Sequence, residues 1–168
     1  MTRGGVRAAI DSHLGSEQVG RVIYGAIIGM AVIVVLEDHP PPPAKDIGLL
    51  LATALAVGLA ELYSEIVGAE TRTRRRVARE QVHEILDDVM AVAFGIGFPS
   101  VFFLLALVGL IEVETAFTDA KWSGLVLIGF YGFCAGRLAG ARVTGALVQG
   151  LAVGAIGAIL IAFKALVH

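Results

Sequence analysis

Apolar residues fill this chain in five long blocks separated by short polar joints, at about 21 to 37, 47 to 67, 89 to 112, 122 to 141 and 143 to 165. Each block falls within the roughly 17 to 25 residues that an α-helix needs to cross a bilayer. The pattern predicts an all-α, polytopic transmembrane bundle of five spans occupying residues 21 to 168. Residues 1 to 20 are polar and hold no apolar core, so they read as a cytoplasmic segment rather than a cleaved signal peptide. The first span is then an anchor that stays.

The joints predict how the spans are connected. His39 is followed by four prolines, and proline lacks the N–H a helix needs, so this stretch spaces spans one and two as an extended turn. Between spans two and three, Val77, Val82, Ile85, Leu86 and Val89 recur at near-helical spacing opposite Glu80, Glu84, Asp87 and Asp88. That predicts an amphipathic cytoplasmic helix, an insert at about 70 to 88, leading into span three. Its arginines should lie against anionic headgroups. Gly95, Gly97 and Pro99 fall together inside span three and predict a kink there. The RVTG joint is so short that spans four and five must form an antiparallel hairpin. Glycines four residues apart, Gly25 with Gly29, Gly132 with Gly136 and Gly140, and Gly150 with Gly154, predict close helix packing within the chain or in a homo-oligomer such as a dimer.

Composition strengthens the membrane reading. Of the 168 residues 57% are hydrophobic and 17% charged, with a mean hydropathy of +0.81, an excess that only lipid can solvate. Charge sets the orientation: threading five spans puts Arg3, Arg7, Arg21, Arg72, Arg74, Arg75, Arg76, Arg79, Arg137 and Arg142 on one side and Lys45, Lys121 and Lys164 on the other. By the positive-inside rule the N-terminus is cytoplasmic and His168 lies outside, in a cytoplasmic (inner) membrane. The net charge of −2 argues against a nucleic-acid partner. The single cysteine, Cys134, cannot form an intrachain disulfide and reads as a small apolar residue within span four.

Two groups of residues could carry chemistry. Glu61 and Glu65 stand four apart at the end of span two, on one helical face. Glu61 and Arg137 each lie fifteen residues into a span entered from outside, so they should reach a similar depth of about 22 Å. Ionisable residues inside a membrane are costly and are site candidates by default. Glu61, Glu65 and Arg137 are therefore the candidate transport pathway, with a helix-locking ion pair as the alternative reading of Glu61 and Arg137. On the insert, Glu80, His83, Glu84 and Asp87 present an imidazole among carboxylates on one face, the donor set of iron, manganese or zinc. A site there would need more ligands than one helix supplies; the alternative is a solvated charged face. No phosphate-cradling loop, CxxC pair or nucleophile elbow occurs, so no catalytic residue, enzyme activity or cofactor is expected beyond a divalent metal as substrate.

Five spans, a cytoplasmic N-terminus, a charged insert after span two and a glycine-rich last hairpin, together with GLAELYSEIVGAE at the end of span two, make the chain resemble the vacuolar iron transporter family. The resemblance implies a dimeric, proton-driven exporter of ferrous or manganese ions, with Glu61 and Glu65 as the transferable residues. Span one departs from the family in lacking a mid-membrane aspartate, and Met30 is its one soft ligand. The signatures of Arg21, Ile23, Tyr24 and Gly25 and of Glu61, Tyr63 and Glu65 are also similar to small actinobacterial integral membrane proteins of unassigned function, which implies a membrane location alone. The functional expectation is a divalent-cation transporter or proton-coupled exporter; the alternative is a non-transporting accessory or scaffolding subunit docked on a larger membrane complex.

Overall fold

A computed structural model describes residues 16 to 167, all of whose regular elements are α-helices. Residues 1 to 15 and 168 lie outside the described residues, and with them Arg3, Arg7, His13 and most of the N-terminal segment. The side chains of Glu80 and Lys164 lie outside them too. The helices are α1 (Ser16–Leu36), α2 (Pro43–Thr73), α3 (Arg79–Gly97), α4 (Ser100–Leu107), α5 (Val113–Leu138) and α6 (Val143–Val167).

Helix α1 is the axis of the bundle. It packs mainly on α3 and α5, while α2 lies against α3 and α4 and α6 lies against α5. Of the apolar window of α1, 44% is buried, against 17% for α2 and for α6, so those two turn most of their surface outward. Leu51, Leu55 and Leu59 on α2 and Leu147, Val148 and Leu151 on α6 are exposed, a continuous apolar exterior that suits lipid and not water.

Three helices, α1, α2 and α6, are long and apolar enough to cross a membrane, and α3 with α4 qualifies as a fourth if the bent pair is one span. The expected fifth, α5, falls short by this measure. Its first turns hold Glu114, Asp119 and Lys121 and its last turn holds Arg137, which leaves a shorter apolar stretch between them.

The joints follow local chemistry. Pro43 opens α2 at a position where a missing N–H costs nothing, and the chain before it is extended at Pro42 (φ −56°, ψ 142°). Helix α2 runs on to Thr73 and ends at Arg74, whose φ of 53° is left-handed. The expected insert is thus the end of α2, a short joint and the start of α3, which continues without a break into the apolar run. Where Gly97 and Pro99 sit, α3 and α4 meet at a 47° bend, as a proline that removes a helix hydrogen bond predicts.

Glycines set the closest approach. A Cβ on Gly95 would lie 2.5 Å from the Val22 carbonyl oxygen and 2.6 Å from the Ala26 nitrogen, and one on Gly25 would strike the Val92 carbonyl. Helices α1 and α3 therefore touch backbone to backbone, the contact that small residues permit inside membranes. Gly136 and Gly150 do the same between α5 and α6, whereas Gly140 has a φ of 81° and ends α5 instead of packing.

Candidate functional site

One face of α2 carries the features that matter. Asp46, Leu50, Ala54 and Gly58 are its buried residues, each four after the last, and Glu61 and Glu65 extend the same side toward the far end. The helix thus places a carboxylate near each end of one inward stripe, about 22 Å apart at 1.5 Å per residue.

At the Glu61 end, Arg21 of α1 reaches between the two glutamates. Its Nη1 donates to Glu61 Oε2 at 2.5 Å and its Nη2 donates to Glu65 Oε1 at 2.6 Å. Asp88 of α3 approaches the same Nη2, with Oδ2 at 3.7 Å. Two carboxylates one turn apart repel, and a planar guanidinium with a fixed fork of donors can bridge them where a point charge could not. The four side chains are neither dry nor free: relative exposures are 26% for Arg21, 18% for Glu61, 35% for Glu65 and 22% for Asp88. Each charge-assisted hydrogen bond in such a setting contributes roughly 1.5 to 3 kcal/mol.

Glu61 therefore pairs with Arg21 and not, as equal depth had suggested, with Arg137. The reason is lateral: α2 and α5 make little direct contact, so side chains at one depth on these two helices do not meet. Arg137 is exposed, and its Nη1 donates to the Ala141 carbonyl at 2.9 Å, satisfying a group just past the end of α5.

His83, Glu84 and Asp87 are exposed on the first half of α3. Among the described residues no three His, Cys, Asp or Glu side chains gather as a metal-holding group, and the side chain of Glu80 lies outside that description. Asp87 instead borders a cleft of about 340 Å³ with Gln18, Met90, Phe94 and Tyr131.

The opposite end of the bundle is built differently. Lys121 of α5 donates to Glu37, just past the end of α1, with both side chains partly buried. Asp46 is fully buried, and neither of its carboxylate oxygens has a hydrogen-bond partner among the described residues. Its helix neighbours Ile47 and Leu50 pack into an apolar cluster with Ile33, Phe103, Ala116 and Phe117. Nothing in the sequence pattern singled out Asp46, which sat in a polar joint; the four-residue stripe down to Gly58 was the signal that could have found it. Arg21 and Asp88 were missed for a similar reason, since each read as an interface or surface charge on its own helix.

Between the two ends the packing is apolar. Ala54 and Val57 of α2, Ile28 of α1 and Val92 and Ile96 of α3 form one cluster, and no polar side chain of it links Glu61 to Asp46. Compared with known proteins, the chain matches no protein-family model, no curated protein and no solved structure.

Proposed function

We propose that this chain is a five-span membrane protein that moves a cation, with Glu61, Glu65 and Asp88 as the carboxylates that receive it and Arg21 as the tethered cation that holds them otherwise. The observation that carries this reading is one guanidinium shared among three carboxylates from two other helices. Formal charge in the cluster is negative, and an ionisable residue on a membrane-spanning helix is a functional-site candidate by default. An arriving divalent cation that displaces Arg21 neutralises more of the carboxylates' charge than the guanidinium does. Carboxylate oxygens suit a hard or borderline ion of the manganese or ferrous type, and these three, which do not gather as a metal-holding group in this structure, would have to close around it once Arg21 leaves. The exposed His83, Glu84 and Asp87, which run directly into Asp88, supply its approach. Arg137, turned to the Ala141 carbonyl, does not stand in the way.

In this reading α5 is the fifth span. Its 26 residues would extend about 39 Å, and it packs between α1 and α6. The ten arginines against three lysines put the Arg21 end on the cytoplasmic side and the Asp46 end outside.

The test is ion flux into liposomes holding the purified protein, parent against Glu61→Gln with Glu65→Gln. Manganese or ferrous uptake in the parent and its loss in the double variant is the expected result. A folded parent that passes none of a panel of divalent and monovalent cations refutes the reading. A second reading, a non-transporting accessory subunit, is favoured by the apolar layer between the two polar ends. It predicts that replacing Arg21, Glu61 and Glu65 together with apolar residues is milder than replacing Arg21 alone.

A further inference from the structure

Asp46 is unlike every other acid described in this chain. It is fully buried, both oxygens lack a hydrogen-bond partner, and among the described residues the one other buried side-chain oxygen so placed is Ser100 Oγ. Charged groups do stand at this end on the neighbouring elements: Glu37 and Asp38 after α1, Glu112, Glu114, Asp119 and Lys121 at the start of α5, and Lys45 beside it on α2, while α4 has none. None of them forms an ion pair with Asp46, and Lys121 is engaged by Glu37. An ionised carboxylate enclosed by apolar packing is the costliest way to bury this side chain.

We propose that Asp46 is a proton-binding site, seated as the neutral carboxylic acid and releasing or taking up its proton in the protein's working cycle. The step is COOH ⇌ COO⁻ + H⁺ and needs no other reactant. A metal ion fits poorly, because calcium or magnesium takes six or more oxygens and no three His, Cys, Asp or Glu side chains gather as a metal-holding group here among the described residues. A proton needs one oxygen. The route to water is short, since Asp46 lies in the first turn of α2, directly after the exposed Ala44 and Lys45.

This site deepens the cation-moving reading and rests on it for one point, that the proton of Asp46 is exchanged against the cation at Glu61. Shared placement on one stripe of α2 ties the two, so that a shift of α2 against α3 and α4 would alter both environments together.

The site itself is tested by infrared spectroscopy of the reconstituted parent at neutral pH. A protonated-carboxyl band that shifts when aspartate is isotopically labelled, and that is lost in Asp46→Asn, is expected. Labelling alone reads the band in the parent, so the test survives a variant that does not fold. No aspartate-derived protonated band overturns the proposal. Coupling is read separately as cation uptake under an imposed pH gradient: Asp46→Asn should lose the response to the gradient. A band with no cation flux in the parent leaves the proton site standing and removes the transport reading; flux that ignores Asp46→Asn removes the coupling; flux without the band removes the proton site alone.

Discussion

The two polar ends of the bundle handle charge in opposite ways. At the Arg21 end three carboxylates converge on one guanidinium and all four groups stay partly exposed. At the Asp46 end partly buried Lys121 and Glu37 pair with each other, and one carboxyl is left fully buried without a hydrogen-bond partner among the described residues. Satisfied charge near the surface holds helices together at modest cost, whereas an unsatisfied buried acid detracts from stability. The apolar wall between the ends keeps the two arrangements independent in this conformation.

That wall is where the largest effect is expected. Gly95→Val puts a branched side chain against the Val22 carbonyl and the Ala26 nitrogen, backbone atoms that cannot step aside. Overpacking typically costs about 1 to 3 kcal/mol, and a clash with backbone belongs at or above the top of that range. Thermal unfolding in detergent should show loss of the folded protein, and the two ends should fail together.

Next comes Arg21→Ala, which strips three carboxylates of their shared partner at an expected cost of roughly 2 to 4 kcal/mol. Arg21→Lys should recover part of this, because a point charge cannot bridge Glu61 and Glu65 as a fork does. An unfolding midpoint unchanged in Arg21→Ala would break the contrast between the ends. Lys121→Ala should cost less, about 0.5 to 1 kcal/mol, since the Glu37 it leaves can turn to water. The smallest effect belongs to Arg137→Ala: below about 0.5 kcal/mol and without change in flux, as for a surface group at a helix end. A flux defect in that variant would return Arg137 to the pathway.

How much of this could be read from the sequence depends on which coordinate a residue pattern reports. Hydropathy reports position along the membrane normal, so α1, α2 and α6 and the bend at Pro99 were legible, as was the hairpin that the RVTG joint forces. The charged first turns of α5 show the limit of the same signal, because a helix can be long and packed in the bundle yet carry too much charge to stand out. The four-residue spacing that sets Glu61 and Glu65 on one face was legible as well. It could not choose their partner, because the lateral order of helices is set by backbone contacts such as those of Gly25 and Gly95, which bring α1 and not α5 to the neighbourhood of α2 and α3. Asp46 was hidden for the converse reason: a polar joint rich in proline reads as exposed, and only the packing of Ile47 and Leu50 against Phe103 and Phe117 draws the acid inside.

The account's central claim is that Arg21 of α1 organises Glu61 and Glu65 of α2. Its most direct test is a pair of double-mutant cycles read by unfolding in detergent, one for Arg21→Met with Glu61→Gln and one for Arg137→Met with Glu61→Gln. A coupling of about 1 to 3 kcal/mol is expected in the first cycle and additivity within about 0.5 kcal/mol in the second. Additivity between Arg21 and Glu61, or coupling between Arg137 and Glu61, would contradict the arrangement on which the proposed cation site depends.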